Sequence, residues 1–339
     1  MKKLRPLVSQ ASEHGLYMKL VNGTVIEGKS ADNPVGLLGE GVDELFIDEC
    51  SLVDRGVWEE ALRPTLADKK GKASFIGTPK GKNWFWELFV RGKNEKAVYE
   101  SWQFPTADNP IIDPKEVDSA RESLPDMKFR QEFLAEFVEL HDTFFPMNLI
   151  TKCVDKDLKR IQRVSPTEVF YAGVDLARLG EDSTVIITVK WEAETRTAIV
   201  ADIVETKHEL LTQAIGRIRK LDEEYKYSKI FLDPTGLGAG VLDVLREQIG
   251  GRAIGVTFTI QAKEDLFNNL KLLMERGVIH IPKHDKLLFQ LNDLRYEYKS
   301  SGHQSIHHSD NGHDDYPDAF ALAVWFYRSG MGKVSYNVF

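Results

Sequence analysis

Short apolar runs broken by Gly, Pro and charged turns recur along the chain, and their spacing separates strands from helices. The sharpest pattern is at 169–189. The run Val169-Phe170-Tyr171-Ala172-Gly173-Val174 ends on Asp175, a polar turn spans 178–182, and a β-branched run returns over 184–189. This predicts a β-hairpin. Further strands are expected at 198–204, 230–233 and 255–260, and amphipathic helices at 209–225, from Val241, at 263–276 and at 287–296. An apolar helix is expected over 319–328, after His313-Asp314-Asp315-Tyr316-Pro317-Asp318. The glycines of 234–240 do not have dinucleotide-loop spacing and predict a tight strand-to-helix turn.

The first half is more broken. Residues 16–20 and 24–26 predict a hairpin about Asn22-Gly23. Leu45-Phe46-Ile47 predicts a buried strand tipped by Asp48 and Glu49, followed by a helix over 57–62 and a strand over 73–76 that runs into Gly77-Thr78-Pro79. A short aromatic helix (84–90), a strand (101–104) and helices over 114–123 and 129–137 follow. Pro114 occupies the first-turn position that proline favours. Residues 142–165, mixed in charge, predict a passage between domains. Its cations Lys152, Lys156, Lys159, Arg160 and Arg163 are read as a solvated face, with contact to DNA phosphates as the second reading.

The letters Gly23 to Ser30 satisfy the phosphate-loop pattern G-x-x-x-x-G-K-S. That motif needs a helix opening at the Lys, so that backbone amides cradle phosphate. Here the middle positions are strand-like and Pro34 and Gly36 follow, so the match is read as coincidental.

Composition narrows this little. At 339 residues the chain is long enough for two domains, and 42% hydrophobic with 28% charged residues is ordinary for a globular protein. No apolar run approaches the ~20 residues that span a bilayer. Cys50 and Cys153 match no metal or redox spacing. The net charge of −8 argues against blanket affinity for nucleic acid, not against a local basic groove.

The acids change the picture. Asp175 and Asp233 each end an apolar strand, where a carboxylate is costly unless paired or bound to metal. Strand tips on one sheet edge converge, and the last helix can bring Asp314, Asp315 and Asp318 to them. Such a crowd repels unless divalent cations lie within it. Two cations ~4 Å apart are a known device for cutting phosphodiesters, and oxygen ligands favour Mg²⁺ or Mn²⁺ over Zn²⁺. Asp314 and Asp318 share a helix face while Asp315 lies about 100° away, and periodicity does not choose among them. His303, His307, His308 and His313 have no standard zinc spacing.

Taken in order, ELFIDE, SFIGTP, ADNP, RQEFLAEF, GVDLARLGEDST, FLDPTGLG and HDDYPDAFALA resemble the large terminase subunit of tailed double-stranded-DNA bacteriophages over nearly the whole chain. The resemblance implies an α/β fold in which part of a P-loop-type ATPase domain (1–142) and a linker (143–166) precede a ribonuclease-H-like nuclease domain (167–339) with a mixed central sheet flanked by helices. It implies Asp48 as the Mg²⁺-binding acid and Glu49 as the catalytic acid of the ATPase strand (the Walker B pair), with Gly77, Thr78 and Pro79 coupling hydrolysis to movement. It implies Asp175, Asp233 and Asp315 as ligands of two nuclease metal ions, with Asp182 and Asp314 auxiliary. The family's phosphate loop is expected well upstream of ELFIDE, so the chain is expected to start inside the ATPase domain and to need another source of that loop to hydrolyse ATP. The implied activity is metal-dependent cutting of concatemeric DNA, coupled in the full-length family to ATP-driven translocation. The implied partners are double-stranded DNA, the portal protein, the small terminase subunit and further copies in a ring, with no membrane. The implied place is the host cytoplasm and, transiently, the procapsid portal vertex, not the mature virion. Two other readings compete: a non-catalytic remnant that docks on portal or DNA, and a stand-alone resolvase or transposase nuclease.

Overall fold

The computed structural model describes residues 5–39, 41–138, 143–163, 165–177, 183–234, 240–299, 302–309 and 312–329. The chain forms two compact units, Met1–Trp102 and Gln103–Phe339. No helix among the described residues is long and apolar enough to cross a membrane.

In the first unit, β1 (Val8–Ser12), β2 (Tyr17–Leu20) and β3 (Val25–Glu27) form an antiparallel sheet, with Gly23 at φ +87° closing the expected turn. No long helix follows Lys29: only a single turn at Pro34–Leu37 is present, which agrees with discounting the phosphate-loop pattern. β4 (Glu44–Ile47) pairs in parallel with β5 (Lys72–Phe75). The expectation of a wholly buried strand at ELFIDE is corrected, because Ile47 is buried while Phe46 is 65% exposed. The 57–62 helix is a wide turn with i→i+5 geometry, and α1 (Trp84–Asn94) is capped by Asn83, whose side chain accepts from the N–H groups of Phe85 and Trp86.

In the second unit, α2 (Pro114–Ser123) stands where it was expected, with Asp113 capping it. Residues 101–104, at the boundary of the two units, pair with no strand among the described residues, and Trp102 and Phe104 are exposed: strand-forming residues without a partner stay irregular. The 129–137 helix is corrected to α3 (Asp126–Glu132), which stops before Ala135 at φ +51°. Residues 143–166 differ most from expectation. They contain α4 (Met147–Cys153) and β6 (Val154–Asp155), and Phe144, Phe145, Ile150 and Cys153 lie in the main core. Lys152, Lys156 and Lys159 are exposed, as a solvated face requires, whereas Arg160 pairs with Asp202 and Glu224 and Arg163 donates to backbone carbonyls, so the two arginines also serve the fold.

The central sheet has seven strands in the order β11-β10-β7-β8-β9-β12-β6. β7 (Val169–Asp175), β8 (Ser183–Glu192) and β9 (Thr197–Lys207) form an antiparallel meander. β10 (Lys229–Leu232) joins β7 in parallel and carries β11 (Ala253–Gly255); the 255–260 strand is therefore displaced, and a helix starts where it was to end. β12 (Ile279–Pro282) links β9 to β6. Alternation divides the core. Phe170, Ala172 and Val174 face α5 (Leu211–Tyr225) and α6 (Gly240–Ile249), whereas Val185, Ile187 and Val189 face α7 (Ile260–Glu275), α8 (Asp285–Asp293) and α9 (Asp315–Ala323). The 287–296 helix ends early, since Tyr296 belongs to a hairpin of β13 (Arg295–Tyr298) and β14 (Gln304–His307).

Candidate active site

Strand alternation decides where the first acid points. Asp175 has the parity of Tyr171 and Gly173, so it stands on the sheet face covered by α9. The parallel register pairs Leu232 with Val174, which sets Asp233 level with Asp175 at the same sheet edge. The third contribution comes from α9. Asp314 is its N-cap residue, Asp315 and Asp318 lie in its first turn, and Pro317 is tolerated there because first-turn N–H groups have no partner within the helix. Close seating is made possible by Gly173: a Cβ there would lie 2.0 Å from the Ala319 carbonyl oxygen and 2.2 Å from the Ala323 nitrogen. The helix backbone thus rests directly on β7, and its acidic end overhangs the strand tip.

The charges report how close these groups are. Burial, and then the charges of Asp318, Asp315 and Asp314, hold the Asp175 carboxyl well above the usual carboxylate range. Asp318 is pushed up to about 8 by burial, with Asp314 and Asp233 adding to the rise and Lys263 opposing it. Asp175, Asp233, Asp314, Asp315 and Asp318 therefore share one field. Asp233 and Asp318 are buried, and among the described residues the Asp318 Oδ1 atom has no hydrogen-bond partner. The positive end of α9 favours negative charge here.

Lys263, from the first turn of α7, enters this cluster. Its Nζ donates to Asp314 Oδ2 at 2.6 Å and Asp318 Oδ2 at 3.1 Å, and sits over the rings of Phe258 and Phe267. Burial alone would lower its pKa, but Asp318 and Asp314 outweigh that and it is raised. Nothing in the sequence pattern marked Lys263, which lies 51 residues from Asp314 and reads as an ordinary helix lysine. Among the described residues no three Asp, Glu, His or Cys side chains stand ready at metal-ligand spacing. The carboxylates converge without forming a finished cage. Their all-oxygen donor set and the orphaned Asp318 oxygen nevertheless fit a hard divalent cation.

A cleft of about 200 Å³ opens beside Asp315, lined among others by Lys207, Lys286, Phe289 and His313. Phe289 is 67% exposed, and Lys286 pairs with Glu205. None of the cations of 152–163 weighed for contact with DNA phosphates lines this cleft; Lys286 and Phe289, one turn apart on α8, do. The histidines do not gather: His303 meets Glu264, His308 turns to the Ser309 carbonyl, and His313 lines the cleft. Asp182 lies outside the described residues.

In the first unit, the parallel pairing of β4 and β5 brings Asp48 and Glu49 beside Gly77-Thr78-Pro79. The Cys50 N–H donates to the Ile76 carbonyl, and a Cβ on Gly77 would lie 3.0 Å from the Cys50 nitrogen. Asp48 and Glu49 are exposed, and Glu49 is left-handed at φ +47°, a strained conformation for a residue with a side chain.

Residues 172–325 match the family described as the terminase RNase H-like domain. The terminase large subunit of Thermus phage G20c is 29% identical over 94% of this chain and 68% of its own length. That of Escherichia phage T5 is 29% identical over 64% of this chain and 50% of its own. A solved large terminase from another thermophilic bacteriophage superposes with a TM-score of 0.52 at 15% identity, over 95% of this chain and 80% of the other, and so shares the fold. The matched span runs from within β7 through α9 and contains every acid of the cluster, and the chain is similar to terminase large subunits over most of its length.

Proposed function

We propose that the chain is a divalent-metal endonuclease of phage DNA packaging that cuts double-stranded DNA at the Asp175 cluster. The observation that carries this reading is the convergence of acids from β7, the end of β10 and the start of α9, with the Asp175 carboxyl forced far from its ordinary range. Asp175, Asp233 and Asp315 would hold Mg²⁺ or Mn²⁺, with Asp314 and Asp182 as supporting acids. A bound pair of ions supplies a nucleophilic water and charge stabilisation for the departing 3′-oxygen. The protein's own part is positional. β7 and β10 fix two carboxylates at one sheet edge, Gly173 lets α9 bring the third, and the partly buried setting strengthens every charge within it.

Lys207, Lys286 and His313 are suited to the phosphates flanking the cut, which the cleft beside Asp315 would receive. In the first unit, Asp48, Glu49 and the Gly77-Thr78-Pro79 segment would serve ATP-driven movement of DNA, with the expected domain limits of 1–142, 143–166 and 167–339. Portal protein, small subunit and a ring of further copies would be the partners, at the procapsid vertex in the host cytoplasm.

The test is conversion of supercoiled plasmid to nicked and linear forms by the purified chain in Mn²⁺. The activity should vanish in EDTA and in Asp175→Ala. A folded wild-type chain that leaves plasmid intact in Mn²⁺ refutes the proposal.

A further inference from the structure

Five carboxylates share the cluster, yet a positive charge already stands among them. Lys263 reaches in from α7, a different element from any that carries the acids, and bridges the two carboxylates that lie on one face of α9. Two acids four residues apart on a helix repel, and Asp314 and Asp318 do so in a place that solvent screens poorly. The ammonium sits 2.6 and 3.1 Å from one oxygen of each. It does not complete the arrangement, since the other oxygen of Asp318 is buried with no donor among the described residues.

We propose that Lys263 is a tethered counter-ion that holds Asp314 and Asp318 together before metal arrives, and thereby restrains how strongly the centre draws divalent cations. The inference rests on the reading of this cluster as a metal centre. Its logic is electrostatic. Without Lys263 the start of α9 would carry uncompensated charge over the tip of β7, and the metal-free centre would splay. With Lys263 the acids stay gathered, but an incoming divalent ion meets a like charge a few ångströms away. The lysine therefore exchanges metal affinity for order in the metal-free state. The rings of Phe258 and Phe267, 5.6 and 5.7 Å from Nζ, keep the ammonium at this spot and off bulk water.

The test uses the full chain and Lys263→Met, which keeps length and removes charge. Thermal melts in EDTA and in Mn²⁺, with calorimetric titration of Mn²⁺, read both sides of the exchange. Lys263→Met should melt about 5 °C or more below wild type in EDTA. Mn²⁺ should restore it, binding at least about ten-fold more tightly than in wild type. Lys263→Arg should stay near wild type in both; a shift as large as that of Lys263→Met points to packing and overturns the proposal. Unchanged or weakened Mn²⁺ binding in Lys263→Met overturns it as well. If Lys263→Met does not fold in EDTA, folding on addition of Mn²⁺ supports the proposal and failure to fold overturns it. A wild-type chain that takes up no Mn²⁺ removes the metal-centre reading and this inference together. Wild-type uptake that Lys263→Met leaves unaltered removes the inference alone.

Discussion

Gly173→Ala is the smallest change that tests how the acids are brought together. A methyl group at this position would lie 2.0 Å from the Ala319 oxygen and 2.2 Å from the Ala323 nitrogen, where ordinary contact begins at 3.4 Å. Both obstacles are backbone, so α9 or β7 must retreat by roughly 1 Å, and overpacking of this kind costs about 3 kcal/mol. The retreat carries Asp315 and Asp318 with it, and a misplacement of about 1 Å is worth about a hundredfold in rate. Denaturant unfolding gives the first quantity, and plasmid nicking in Mn²⁺ gives the second. Gly216→Ala in α5 is the control: its Cβ meets nothing within 4 Å, so it should gain about 1 kcal/mol from helix propensity and cut DNA normally. Trimming Ala319 or Ala323 to glycine should not rescue Gly173→Ala, because the clash is not with their side chains. A Gly173→Ala chain with wild-type stability and wild-type cutting would show that α9 does not rest on β7 as described.

The Asp318 carboxyl, raised from 3.8 to about 8, binds its proton more tightly folded than unfolded. Its contribution is therefore full below about pH 4 and is lost as pH rises towards 8. In EDTA, wild type should lose stability relative to Asp318→Asn across that window, measured as the difference between their unfolding free energies; a pH-independent difference would refute this. Lys207→Ala with Lys286→Ala should weaken DNA binding and flatten its salt dependence by about two in log–log slope, as read by fluorescence anisotropy. An unchanged slope would take these lysines off the phosphate path. Arg252 grips buried Asp222 through two bonds of 2.6 and 2.8 Å and also donates to the Tyr227 carbonyl. Arg252→Met should cost about 3 kcal/mol in denaturant unfolding while leaving the cleavage rate per folded molecule intact.

The residues of the centre were legible wherever chemistry conflicts with local pattern. An acid ending an apolar strand is anomalous on its face, so Asp175 and Asp233 could be singled out, and two-residue alternation then sets the face Asp175 takes. Lys263 could not be found that way. A lysine on an amphipathic helix is the expected solvent-facing residue, and only the tertiary path of α7 turns it inward. The same limit hid the role of residues 143–166. Their charges suggest an exposed passage, yet Arg160 and Arg163 are consumed by acids and carbonyls of the same unit, and Phe144 and Phe145 are wholly buried. The aromatic spacing of 129–137 predicted a longer helix than Ala135 permits at φ +51°. Residues 101–104 failed in the opposite sense, because strand propensity has no effect without a neighbouring strand.

The cluster is also where the fold works against its own stability. Elsewhere in the second unit, several buried or half-buried acids are matched: Asp222 with Arg252, Glu209 with Arg217, Glu264 with Lys128 and His303. At the meeting of β7, β10 and α9 several carboxylates press together around the Lys263 ammonium, and among the described residues one buried oxygen has no donor. A fold selected only for stability would replace Asp318 with an apolar residue of similar size, since buried ion pairs seldom outperform such packing. Their retention makes sense if the missing positive charge is supplied from outside. Metal binding and folding would then be linked, and each ion bound would raise the melting temperature in proportion to the repulsion it relieves.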